Sequence, residues 1–241
     1  MDLNNKTLIG NIVAKNYKSA SVFKSYGIDF CCNGNRSIEK VCEVNDIDEN
    51  ELIDLLKNCF ETETDTNDYQ SWEIDFLSDY IYNKHHKYIE NKVPEIKQYL
   101  DKICRVHGNS HPELLEINKL FKESASDLIL HMKKEELILF PHFKKLAAAV
   151  RDNTPVSSPQ FDTVKSPIAM MHEEHDNEGH RFRKISELSN DYKPPIDACS
   201  SYKVSFSLLK EFEDDLHKHI HLENNILFKK GIELEQRLQE K

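Results

Sequence analysis

A ten-residue pattern occurs twice in this chain. Segments 131–140 and 219–228 both read H-x-x-x-E-x-x-I-L-F, 88 residues apart. Each copy follows another histidine: His86 lies 45 residues before His131, and His175 lies 44 before His219. A doubled order of His, then His-x-x-x-Glu, predicts two helix pairs related by a pseudo-two-fold axis. Residues i and i+4 stack one turn apart on one helix face, so an imidazole and a carboxylate at that spacing can reach a common point.

The surrounding periodicity puts that face in a core. A walk of threes and fours gives Leu114, Ile117, Phe121, Ser124, Leu128, His131, Glu135 and Ile138 on one segment. On the other it gives Tyr202, Ser205, Leu209, Phe212, Leu216, His219, Glu223 and Ile226. His175 shares a stripe with Ile168, Met171, Phe182 and Ile185, and His86 heads Ile89, Val93, Ile96, Leu100 and Ile103. The six polar residues thus stand where leucine would be expected. The pattern predicts four helices, over about 72–105, 112–149, 167–189 and 197–238, with Pro112 and Pro167 near two starts and Pro94 expected to kink the first. The fold class is all-α, an up-down four-helix bundle.

Two buried carboxylates cost several kcal/mol unless neutralised. Cations at His86, His131, Glu135, His175, His219 and Glu223 would do so. Four imidazoles are too nitrogen-rich for calcium or magnesium. Six ligands exceed one tetrahedral zinc, and no thiolate is among them. A dinuclear iron or manganese centre bridged by both glutamates fits best. Glu178, one turn beyond His175, is a further ligand or a buried proton acceptor, and Glu174 an outer partner. His85, His172, His217 and His221 fall off the seam and read as solvated or as partners of a neighbouring ligand.

Residues 1–60 read as a small helical domain with adjacent Cys31 and Cys32, 61–71 as an acidic linker, and 72–241 as the bundle. The Asn33-Gly34 turn beside the cysteines marks a surface tip, where they are either ordinary thiols or reactive ones. Cys42, Cys59, Cys104 and Cys199 lack metal spacing and read as packing residues. Six irregularly spaced cysteines argue against a disulfide framework. A net charge of −10 argues against nucleic acid as a partner. No run approaches the roughly 18 apolar residues of a membrane span, so no membrane partner and a cytoplasmic location are expected.

The doubled motif, with Ser19–Gly34 around Cys31-Cys32, Glu174-His175-Asp176 and Glu223-Asn224-Asn225, resembles the hemerythrin-like di-iron proteins called RIC, for repair of iron centres (the YtfE/ScdA family). The resemblance covers nearly the whole chain. It implies a hemerythrin-like bundle holding two non-haem iron ions bridged by Glu135 and Glu223. It also implies a cytoplasmic stress-response protein that repairs iron–sulfur clusters damaged by nitric oxide or oxidants. Expected partners are damaged iron–sulfur proteins and small ligands such as nitric oxide or oxygen, and a homodimer is compatible with the family. For Cys31 and Cys32 it implies a thiol role in binding iron, reacting with nitric oxide or contacting the client. Three uses of the centre stay open. They are iron donation, reduction of nitric oxide or peroxide as an enzyme, and oxygen binding or sensing. The cysteine-bearing domain favours the first.

Overall fold

The computed structural model describes residues 3–61, 67–155 and 163–240. Four short helices open the chain: α1 (Ile9–Lys15), α2 (Ser19–Ser25), α3 (Ile38–Asn45) and α4 (Glu49–Glu61). Side chains start two of them. Ser37 Oγ accepts from Lys40 N at 3.2 Å, and Asp48 Oδ1 accepts from Glu51 N at 3.0 Å. The buried faces of these helices, with Ile9, Ile12, Phe23, Ile38, Val41 and Leu52, join the core of the bundle rather than closing on themselves.

Four rods make the bundle. The first is α5 (Ile74–Ile81), a π-helical turn (Tyr82–His86) and α6 (Lys87–His107). The second is α7 (Glu113–Lys134), a π turn (Glu135–Leu139) and α8 (Phe140–Asp152). The third is α9 (Lys165–Leu188) alone. The fourth is α10 (Ser200–Leu222), a π turn (Glu223–Leu227) and α11 (Phe228–Gln239). Helix α5 packs on α8 and α6 on α7, so the first two rods are antiparallel; α10 packs on α6, which places the fourth rod beside the first.

The helices start and stop close to where the sequence places them. Pro167 is the third residue of α9 rather than its first, and α10 opens at Ser200 with Cys199 before it. Pro94 lies inside the continuous α6. After α9 the chain turns through Asn190, Asp191 and Tyr192, all with left-handed φ between 50° and 58°. Part of the expected linker, 62–66, and part of the expected loop at 151–166, residues 156–162, lie outside the described residues.

Three expectations need correction. Residues 67–71 are not a free linker, because Tyr69 is buried against Trp72 and Tyr80, with ring centroids at 4.8 and 5.5 Å. Ile138 is exposed and Leu139 takes its core place, because the π turn inserts one residue into the helical register. Among the cysteines read as packing, Cys42 is buried, and Cys59 and Cys104 are half-buried. Cys199 is exposed, with its Sγ 3.2 Å from His107 Nε2.

Two apolar cores result. One joins the N-terminal helices to the bundle through Ile89, Leu128, Phe182 and Leu216, and the other gathers Ile81, Leu139, Met171 and Phe228. The six polar residues picked out by the repeat form the layer between these cores.

Candidate metal centre

All six predicted residues are buried, and Glu135 and Glu223 have no exposed surface. Their ligand-type atoms form two groups. His86 and His219 meet both glutamates, as do His131 and His175, with all atoms of each group within 4.8 Å of one another. Each carboxylate therefore belongs to both groups. His86 Nε2 lies 3.4 Å from Glu135 Oε2 and 3.8 Å from Glu223 Oε1. His131 Nε2 lies 3.4 Å from Glu135 Oε2, and His175 Nε2 lies 3.3 Å from Glu223 Oε2. His219 Nε2 lies 2.9 Å from Glu223 Oε1.

Several of these atoms are left without hydrogen-bond partners. Both oxygens of Glu135, Glu223 Oε2 and His86 Nε2 are buried and find no hydrogen-bond partner among the described residues. Buried polar atoms are nearly always satisfied, so four orphans converging on one point mark a place for cations.

The histidine tautomers point the same way. His131 Nδ1 lies 2.8 Å from Glu174 Oε2, His175 Nδ1 2.8 Å from Asn224 Oδ1 and His86 Nδ1 3.0 Å from Glu136 Oε1. Each acceptor requires the Nδ1 to donate, which turns an Nε2 lone pair toward the centre. His131 and His175 then meet Nε2 to Nε2 at 3.0 Å, a contact that needs a proton or a metal cation between the lone pairs.

Electrostatics agree. Burial alone would lower His86 and His131, but the neighbouring carboxylates overcome it and push each up to about 10. Burial would raise Glu135 and Glu223, yet the imidazoles hold both below the ordinary carboxylate range. The cluster thus keeps its carboxylates ionised and seeks positive charge.

The family model described as the hemerythrin HHE cation binding domain matches residues 78–230, and a domain of unknown function, DUF542 (ScdA_N), matches residues 5–59. The chain belongs to the hemerythrin-like ScdA/YtfE family. It is 28% identical over 228 residues to the iron-sulfur cluster repair protein ScdA of Staphylococcus haemolyticus, covering 95% of this chain and 99% of that protein. It is 31% identical over 214 residues to a probable iron-sulfur cluster repair protein of Haemophilus influenzae, covering 87% and 89%. The iron-sulfur cluster repair protein YtfE of an Enterobacter species is 27% identical over 224 residues, covering 93% and 96%.

Around the centre this ScdA/YtfE-family chain keeps its internal symmetry, with one break. The residue after each motif glutamate, Glu136 or Asn224, accepts from the first histidine of its half, His86 or His175. The motif phenylalanines cover the same two rings: Phe140 stacks on His86 at 5.5 Å and Phe228 on His175 at 6.0 Å. The break lies before the first histidines. Glu174 supports His131, but its counterpart His85 stacks flat on His219 at 5.6 Å, and His219 Nδ1 has no partner among the described residues.

Sequence reasoning found Glu174 as an outer partner but missed Glu136 and Asn224. The available signal was their shared place one residue after the repeated glutamates. Glu178 belongs to neither ligand group. It accepts from Ser124 Oγ at 2.5 Å and pairs with Arg181, and burial raises its carboxyl. With His131 and His175 it lines a cavity of about 250 Å³. Nor are the neighbouring histidines solvated. His85 and His221 are buried, while His172 and His217 are half-buried against the Phe228 and Phe30 rings.

The cysteine pair is not at a surface tip. Cys31 is buried and Cys32 half-buried, because the N-terminal domain docks this loop on the bundle. Asn224 Nδ2 donates to Cys31 O at 3.3 Å and Asn225 Nδ2 to the same carbonyl at 3.1 Å. Cys32 Sγ lies 3.5 Å from His175 O.

Proposed function

We propose that this protein holds two iron ions and repairs iron–sulfur clusters damaged by nitric oxide or oxidants, by supplying iron to them. The carrying observation is the sharing of Glu135 and Glu223 between two histidine pairs. His86 and His219 would hold one ion, His131 and His175 the other, and the two glutamates both. Bound iron would supply one-electron chemistry at that point. Glu136, Glu174 and Asn224 fix the rings, and Phe140 and Phe228 screen them from solvent. The names of the relatives support cluster repair, and damaged iron–sulfur proteins as partners and the cytoplasm as the place go with that reading. A homodimer belongs to the same reading.

Metal analysis of anaerobically purified protein tests the centre. About two irons per chain are expected, and His131→Ala should lose at least the ion it shares with His175. Incubating the reduced protein with a [4Fe–4S] protein damaged by nitric oxide tests repair. Iron should leave this chain as the damaged cluster recovers, and recovery without iron loss overturns donation. The cavity reaching His131 and His175 favours a second reading, reduction of nitric oxide by the same centre. That reading requires many turnovers per chain with a supplied reductant, and it fails if the reaction stops at one.

A further inference from the structure

His85 breaks the internal symmetry of the centre, and from it a line of contacting rings runs outward. Its imidazole stacks on His219 with centroids 5.6 Å apart and planes 7° from parallel. Tyr80 stands edge-on to His85 at 5.8 Å, and Trp72 edge-on to Tyr80 at 5.1 Å. Touching aromatic pairs have centroids roughly 4.5–7 Å apart, so each step of the line is a contact. Trp72 is the one tryptophan of the chain, and it lies half-buried beside the exposed Phe76.

The rod builds this line from its own spacing. Trp72, Phe76 and Tyr80 recur at intervals of four into α5 and share a face. The π turn at Tyr82–His86 adds a residue to the register. His85, five after Tyr80, therefore returns to that face. Hydrogen bonds hold the two inner rings: Tyr80 Oη lies 3.2 Å from Tyr69 Oη, and His85 Nδ1 lies 3.0 Å from Asp215 Oδ1.

The other rings near the centre are poor electron donors. Phe140 and Phe228 cover His86 and His175, and phenyl rings resist oxidation. Tyr82 reaches His86 at 6.2 Å, but Lys87 Nζ lies 4.9 Å over its ring and opposes loss of an electron. Lys218 Nζ, 5.4 Å over Tyr69, does the same there. Indole and phenol give up electrons far more readily than phenyl or imidazole, and the line offers one of each. The Asp215 carboxylate beside His85 favours positive charge passing that ring.

The geometry points to Trp72, Tyr80 and His85 as an electron path to His219, by which Trp72 supplies an electron to a centre short of one. The oxidant is a peroxide. Reduction of one hydrogen peroxide to two waters takes two electrons and two protons and breaks the O–O bond. With a single ferrous ion present, iron gives one electron and Trp72 the other. The indole N–H releases one proton and solvent supplies the second, which leaves a ferric ion and a neutral indolyl radical. That the centre holds iron and meets peroxide rests on the reading above. The path itself does not.

Two experiments test the path. The full chain, loaded with one ferrous and one ferric ion and mixed with hydrogen peroxide, should give the freeze-quench EPR spectrum of an indolyl radical. Trp72→Phe should abolish that signal with iron content unchanged. Tyr80→Leu, which removes the contacting ring, should slow its appearance about tenfold or more. Ferrous iron consumed by peroxide without an indolyl signal overturns the proposal. The metal-free full chain separates the path from the iron reading. Pulse radiolysis with the azidyl radical oxidises Trp72, and the radical should then pass to Tyr80. Indolyl absorption would give way to phenoxyl absorption at a rate independent of protein concentration. Tyr80→Phe keeps the packing and should slow that step, whereas Tyr69→Phe should not. Where iron is absent or inert to peroxide this second experiment decides, and transfer unchanged in Tyr80→Phe overturns the path.

Discussion

The Nδ1 of His175 lies 2.8 Å from the Oδ1 of Asn224, and the amide nitrogen of the same Asn224 lies 3.3 Å from the carbonyl of Cys31. One side chain thus orients a candidate metal ligand and fastens the N-terminal domain. Asn224→Ala would leave a buried Nδ1–H unpaired, at a cost of about 1–3 kcal/mol. Affinity for the ion held by His131 and His175 should fall about 10–100-fold. Asn224→Asp keeps the acceptor but loses the donor to Cys31, so it should retain metal and loosen the docked domain. Chelator competition reads the first effect and limited proteolysis the second. Wild-type affinity for both ions in Asn224→Ala would refute the orienting role.

The broken symmetry predicts two unequal positions. His131 and His175 both have acceptors for Nδ1, in Glu174 and Asn224, whereas among the described residues His86 has one, in Glu136, and His219 has none. An acceptor at Nδ1 raises the basicity of Nε2 and holds the ring in line. Removal of metal by a chelator should therefore proceed in two phases, with the His86/His219 ion leaving first. Glu174→Ala should bring the phases together, by about tenfold or more in the tighter constant. A single phase in the wild-type protein would contradict this.

Much of the centre was legible because the repeat and the seam both act along one helix. His131 and Glu135, or His219 and Glu223, share a face by helical geometry alone, and the apolar residues beside them mark that face as inner. The parts that escaped depend on the third dimension. Glu136 and Asn224 sit about 100° off the seam and become partners only because neighbouring rods present His86 and His175 to them. The π turns escaped because a single inserted residue leaves the preceding helical pattern intact and shifts only the positions after it, as the exchange of Ile138 for Leu139 shows. Cys31 looked like a tip because an Asn-Gly turn normally is one. Its cover comes from Asn224 and Asn225, nearly 200 residues away in the chain.

Protons and metal compete for the centre, which fixes a pH dependence. In metal-free protein His86 and His131 are held at about 10, against 6.5 for the free side chain. Their protonation then stabilises the fold fully below pH 6.5, and that contribution fades as the pH rises toward about 10. Metal must displace these protons, so its affinity rises over the same range. The Tm of the metal-free protein should fall from pH 6.5 to 9, and the increment conferred by metal should widen. Lowered Glu135 and Glu223 carry the opposite sign. Their contribution is present above the ordinary carboxylate value of 4.5 and is lost on further acidification, which should release the metal. An increment that does not vary with pH between 6.5 and 9 would count against proton competition.

Docking of the N-terminal domain depends on close backbone approach at Gly34. A Cβ there would stand 2.7 Å from the carbonyl of Phe30 and inside the amide of Asn225. Phe30 O is backbone, and Asn225 is held by Cys31 O and His221 Nδ1, so neither can step aside cheaply. Gly34→Ala should cost about 1–3 kcal/mol, the usual penalty for overpacking. In a chain of this size that lowers Tm by about 2–4 °C per kcal/mol. The bundle does not use Gly34 to place its histidines, so the two ions should stay bound while the N-terminal domain becomes open to protease. Exposure of Cys31 should accompany it, read as faster alkylation of that thiol than in the wild-type chain. Loss of metal together with the domain would mean that the docked loop supports the centre more strongly than the Asn224 bridge alone provides.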